Sequence, residues 1–215
     1  MQTNSYEYRL FGRSKGRGKN NKISNDAINI GVTNIDPIQY NVIDIGSGYG
    51  ESVLEFAKLY NEKNIIACEK YIDGINKIAE NVRKESLNNV YTFHGNAHKF
   101  LDKYCSPKSI SEVWILFPDP WPKKRHHKRR LVDVDLFYKL KNFIKNSGTV
   151  NIATDSKSYI SEILKCIYQV KNDYIWINQN KEEWDYSNLN LPNTKYFQKA
   201  LENGLNPMYF KLMKL

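Results

Sequence analysis

Short apolar runs alternate with helix-spaced segments along most of this chain, and that alternation limits its fold more than any other feature. Runs of mostly β-branched, aromatic or other apolar residues lie at 40–45, 65–68, 90–94, 113–117 and 148–153. At 51–59, 72–87, 131–144 and 156–170 the apolar residues recur at helical spacing. In the first of these, Val53, Leu54, Phe56 and Ala57 share one side. Two late runs, 174–177 and 209–213, read as further strands. Strands separated by helices of roughly 10–15 residues build a parallel sheet with helices on both faces. The run at 113–117, VWILF, is apolar throughout, as a strand covered on both faces requires. The predicted fold is therefore α/β, a doubly wound, mostly parallel, seven-stranded sheet.

Length and charge divide the chain further. Its 215 residues allow one large domain with an extension. Residues 1–35 carry few periodic apolar positions and read as a basic arm, partly flexible. The domain then occupies 36–215. No run approaches the roughly 18 apolar residues of a membrane span. The first twenty residues are polar and basic, without the apolar centre of a signal peptide. A soluble, cytoplasmic protein with no membrane partner is expected. Cys68, Cys105 and Cys166 form no Cys-x-x-Cys pair, which speaks against a disulfide frame or a cysteine zinc site. Cys68 and Cys166 sit in apolar runs and are expected as buried thiols.

The net charge of +9 is concentrated in two places. Arg9, Arg13, Lys15, Arg17, Lys19 and Lys22 make one basic segment. Lys123, Lys124, Arg125, Lys128, Arg129 and Arg130 make the other. Without these twelve, the rest of the chain would carry −3. A positive field focused this way suits a polyanionic partner.

In an open α/β sheet, ligands bind beyond the carboxyl ends of the strands. Five predicted strand ends carry polar groups: Asp44, Glu69, Asn96, Asp119 and Asp155. After Asp44 comes Gly46-Ser47-Gly48-Tyr49-Gly50, a turn that lets backbone approach a ligand closely. Its spacing is not the G-x-G-x-x-G of dinucleotide folds. Glu69 lies about twenty residues on, where an acid typically binds ribose hydroxyls. Together these suggest an adenosine-containing ligand. Asp44 would repel a pyrophosphate and welcome a cation; alternatively, it receives the amides of the glycine turn. At the fourth strand end, Pro118-Asp119-Pro120-Trp121-Pro122 places three prolines in five residues. Such a turn is rigid and non-helical, and holds Asp119 in place. Ser156 is a candidate N-cap for the helix that follows Asp155. His126 and His127 are adjacent and point apart, and His94 and His98 lack ligand partners at metal spacing. No metal is expected. Neither a Gly-x-Ser-x-Gly nor a P-loop is present, so hydrolase and NTPase readings lack their central group.

These residues resemble the bacterial tRNA (guanine-N7)-methyltransferase family, which has the Rossmann-like class I methyltransferase fold. The similarity runs through RLFGRSKGRG (9–18), VIDIGSGYG (42–50), ACEK (67–70), GNA (95–97), LFPDPWPKKRHHKRRLV (116–132), ATD (153–155) and Thr194-Lys195. The proline-rich and basic block is highly specific, whereas the glycine turn is generic to the fold. The resemblance implies S-adenosylmethionine as methyl donor and tRNA as substrate, methylated at N7 of a variable-loop guanine. It implies cofactor contacts at Asp44, Gly46, Gly48, Glu69, Asn96 and Asp119, with Asp119 also at the catalytic centre. It implies substrate contacts at Lys123, Asp155, Thr194 and Lys195. A monomer and a homodimer are both compatible with it. The family often has Asp where this chain has Asn96, and its Thr-Lys-Phe-Glu reads Thr194-Lys195-Tyr196-Phe197 here. Two alternatives stay open from the residues: a same-fold methyltransferase acting on another base nitrogen or a protein amide, and a tRNA-binding protein whose catalysis is impaired.

Overall fold

Strand β1 (Asn41–Ile45) is buried at every position and is an interior strand, third in the order of the seven-stranded sheet. The computed structural model describes residues 22–33, 35–36 and 39–215. The basic-arm residues Arg9, Arg13, Lys15, Arg17 and Lys19 lie outside the described residues. The other strands are β2 (Asn64–Glu69), β3 (Val90–His94), β4 (Ile110–Leu116), β5 (Ile144–Thr154), β6 (Tyr174–Trp176) and β7 (Met208–Lys214). Their order is β3-β2-β1-β4-β5-β7-β6, with β7 antiparallel to both neighbours. The seven-stranded, doubly wound sheet expected from the sequence is what the chain forms. The order reverses between β1 and β4, which opens a crevice at their carboxyl ends.

Alternation along each strand fills two cores. Ile43 and Ile45 of β1, with Val113 and Ile115 of β4, pack beneath α4 (Ala97–Tyr104), α5 (Val134–Phe143) and α6 (Lys157–Gln169). Val42, Ala67 and Trp114 face α2 (Glu51–Leu59) and α3 (Ile72–Lys84) through Val53, Phe56, Ile78 and Val82. Covered on both faces, the strands need apolar side chains at consecutive positions. Cys68 and Cys166 are free and buried, as expected.

Before β1, a short helix α1 (Asn25–Asn29) sets Ala27 against Ile75 and Ala79 of α3. Gly31 then bridges Thr92 in parallel, and the Val32 amide donates to the Thr92 carbonyl at 3.0 Å. This segment covers part of the β3 edge, which would otherwise offer unpaired backbone groups. Among the described residues no helix is long and apolar enough to cross a membrane.

The structure departs from the sequence expectations in several elements. Helix α4 was not expected; it starts on Asn96, whose Oδ1 accepts the His98 amide at 2.7 Å. Helix α5 is shorter than 131–144, because Asp133 caps it and Ile144 already pairs with Ile110 in β5. Ser156 stands at the N-cap position of α6, yet its hydroxyl makes no capping bond. Its carbonyl instead accepts the amides of Tyr159 and Ile160, both at 2.9 Å. The late chain adds α7 (Lys181–Trp184) and α8 (Lys195–Glu202) between β6 and β7.

Candidate active site

The crevice holds a cavity of about 680 Å³, walled by the ends of β1, β2, β3 and β4 and by the start of α8. Asp44, Gly46, Gly48, Glu69, Asn96, Asp119, Thr194 and Lys195 all line it. Lys123 and Asp155 do not. Lys123 is exposed, just ahead of a 3-10 helix over Lys124–Arg129, and Asp155 is half-buried after β5.

The glycine turn is shaped by three left-handed residues, Gly46 (φ 80°), Gly48 (φ 57°) and Gly50 (φ 85°). A Cβ on Gly46 or Gly48 would meet nothing within 4 Å, so both face open space. Gly50 serves packing instead, because a Cβ there would lie 2.4 Å from Ile78. Glu69 locks the turn. Its Oε2 accepts the Gly48 amide at 2.8 Å, and its Oε1 accepts the amides of Lys70 and Tyr71 at 2.6 and 2.8 Å. The amide of the turn thus goes to Glu69 and not to Asp44.

Asp44 is 1% exposed at the cavity floor. Its Oδ2 accepts the hydroxyl of Ser52, in the first turn of α2. Its Oδ1 is buried with no partner. Burial pushes its carboxyl up to about 7; the Ser52 bond opposes that rise, while Glu69 and Glu51 add to it. A buried acid with a free oxygen attracts a cationic group, because the ion pair would repay its desolvation.

The mouth of the cavity mixes aromatic and charged residues. Tyr49 and Tyr71 meet edge to face at 6.0 Å. Burial raises the Tyr196 hydroxyl, and Asp119, Glu51 and Glu69 raise it further, so this phenol stands among three acids. Thr194 caps α8 by accepting the Phe197 amide at 3.2 Å. Glu51 accepts the Lys195 amide at 3.3 Å, which ties α8 to α2. Phe197 packs its ring on Tyr186 (4.7 Å) and Phe117 (6.4 Å). His98 also lines the cavity; burial, then Lys139, lowers it to about 4, so it is neutral at pH 7. Sequence reasoning missed Ser52 and Tyr71, which carry no motif of their own; it named Ser47 only as part of the glycine turn and His98 only as a metal ligand to set aside.

Chemically, the floor is acidic and open at two glycines, and the rim is basic through Lys128, Arg129 and Lys195. Such a site accepts a cation within and a polyanion across its mouth. A family model described as "Putative methyltransferase" matches residues 39–209. Among solved structures, the 16S rRNA methyltransferase KamB superposes with a TM-score of 0.58 at 11% identity, covering 83% of this chain and 90% of that one. A Streptococcus mutans protein described as "a putative methyltransferase", solved in complex with SAH, superposes with a TM-score of 0.54 at 13% identity, covering 88% and 94%. Fold and family model together place the chain in a methyltransferase family with the Rossmann-like class I fold.

Closer relatives narrow this. The tRNA (guanine-N(7)-)-methyltransferase of Buchnera aphidicola subsp. Schizaphis graminum is 31% identical over 174 residues, 81% of this chain and 72% of its own length. The enzymes of that name from a Ruegeria species and from Neorickettsia sennetsu are 31% and 38% identical, over 80% and 60% of this chain. The chain belongs to the tRNA (guanine-N(7)-)-methyltransferase family. It spans 66% and 59% of the length of the latter two relatives, under two thirds of each.

Proposed function

We propose that this chain transfers a methyl group from S-adenosylmethionine to N7 of a guanine in the variable loop of tRNA. Beside the family membership, the observation that carries the reading is the partnerless Oδ1 of Asp44 beneath a glycine turn open to the cavity. Asp44 offers that oxygen to the ammonium and sulfonium end of the cofactor. Gly46 and Gly48 admit it without side-chain obstruction. Glu69 meets the ribose with lone pairs not used by the turn, and Asn96 meets the adenine edge with its amide nitrogen, since its oxygen is already the cap of α4.

S-adenosylmethionine supplies an electrophilic methyl carbon. Guanine N7 carries an in-plane lone pair and no proton, so no general base is required. Alignment of the reactants can then provide much of the rate, roughly 7–11 kcal/mol in favourable cases. Asp119 holds the guanine and balances the positive charge that develops on the purine. Asp155 holds the base edge. Lys123, Thr194 and Lys195 contact the tRNA, and bases of both basic segments bind its backbone. Side chains reach the deep major groove of A-form RNA poorly, which favours a target in an irregular loop. The protein works in the cytoplasm. Mapping the methyl group on unmodified tRNA tests this reading.

A further inference from the structure

The basic run at 123–130 is not uniform. Lys123, Lys124, Arg125 and Lys128 are exposed, whereas Arg130 is only 7% exposed. Among the described residues Arg130 makes no ion pair. A buried guanidinium without an acid must satisfy its donors otherwise. Its Nε donates to the Pro120 carbonyl at 2.8 Å. Its Nη1 donates to the Ser158 carbonyl at 3.1 Å, and its Nη2 to the Ser158 hydroxyl at 2.7 Å. The group lies 4.7 Å from the ring centre of Tyr159. Tyr159 is itself fixed, since its hydroxyl accepts the Val132 amide at 2.8 Å.

Pro120 directly follows Asp119. The turn they share is flanked by two non-glycine residues in left-handed backbone, Phe117 (φ 51°) and Trp121 (φ 42°). Such conformations persist only when the surroundings hold them. The prolines contribute no N–H, so the turn has few donors of its own. The guanidinium supplies donors from outside and ties the turn to the start of α6.

We infer that Arg130 is a positioning residue that fixes Asp119 through the Pro120 carbonyl, and that it makes no phosphate contact. The inference rests on the reading of Asp119 as the centre of methyl transfer. A lysine keeps the charge but cannot reach Pro120 and Ser158 together in the planar fork.

The test compares Arg130→Lys, Ser158→Ala and Lys128→Ala in methyl transfer to unmodified tRNA and in the salt dependence of tRNA binding. Arg130→Lys lowers kcat about 100-fold through misplacement of Asp119, with KM for tRNA and the salt slope unchanged. Lys128→Ala weakens binding and reduces the slope by about one. Ser158→Ala lowers kcat less, in the same direction, and stands in if Arg130→Lys does not fold. An unchanged kcat in the folded variant, or a slope reduced by about one in Arg130→Lys, overturns the inference. One readout needs no activity: acrylamide quenching of Trp121, taken as the difference from a matching Trp121→Phe protein. It rises in Arg130→Lys if the turn is released, and an unchanged value overturns the inference. A wild type that binds tRNA without methylating it defeats the proposed function alone, and the quenching and slope then still decide the role of Arg130.

Discussion

The hydroxyl of Ser52 donates to one oxygen of Asp44 and leaves the other buried without a partner at the cavity floor. That arrangement couples cofactor binding to pH. Burial raises the Asp44 carboxyl from 3.8 to about 7. The ionised form binds a cation, so affinity for S-adenosylmethionine rises through pH 7 and levels off above it. Between pH 6 and pH 8 the gain is about tenfold by linkage. Calorimetric titration at the two pH values measures it, and Asp44→Asn flattens the curve. Ser52→Ala removes the donor that opposes the rise, which moves the midpoint upward. The sign for stability is opposite. The unfolded chain releases this proton near pH 4 and the folded chain near pH 7. The empty protein therefore loses stability as pH rises across that window, and thermal melts without cofactor should show it.

Two glycines separate binding from packing. Gly74 of α3 sits where a Cβ would meet the Gly48 carbonyl at 2.3 Å. Gly74→Ala should destabilise the fold by about 1–3 kcal/mol through overpacking. Gly46→Ala should cost about 1 kcal/mol of left-handed strain, because its Cβ enters open space. That space is the proposed cofactor site, so affinity falls much further than stability. Melting curves and calorimetry on the two variants separate the effects.

The ring of Phe197 packs on Tyr186 and Phe117. Phe197→Ala should lower stability by about 2 kcal/mol, less than for a fully buried ring. Denaturant unfolding measures it.

The exposed bases at 123–128 predict salt-sensitive tRNA binding. If roughly five phosphates are neutralised, the log–log slope is about −4. Filter binding between 50 and 200 mM salt, on the order of the physiological range, reads it. A slope near zero contradicts backbone clamping.

Much of this architecture was legible because strands buried on both faces leave unbroken apolar runs, as at 113–117. The polar ends of strands were legible as well, and eight of the ten proposed site residues line one cavity. Helices α4 and α8 were missed because each is one short amphipathic stretch of eight residues, capped by a residue already read as a ligand contact. Ser52 carries no motif; its role exists only because helix α2 packs over β1. Arg130 could not be told from its neighbours, since a charge run does not reveal which member turns inward. Burial and donor geometry make that distinction.

The most direct test uses unmodified tRNA transcript, labelled S-adenosylmethionine and the purified protein, with the product mapped by chemical cleavage at N7-methylguanine. The account predicts label at a single variable-loop guanine, lost in Asp119→Ala. Label on another atom, or none from a protein that still binds cofactor, would contradict it.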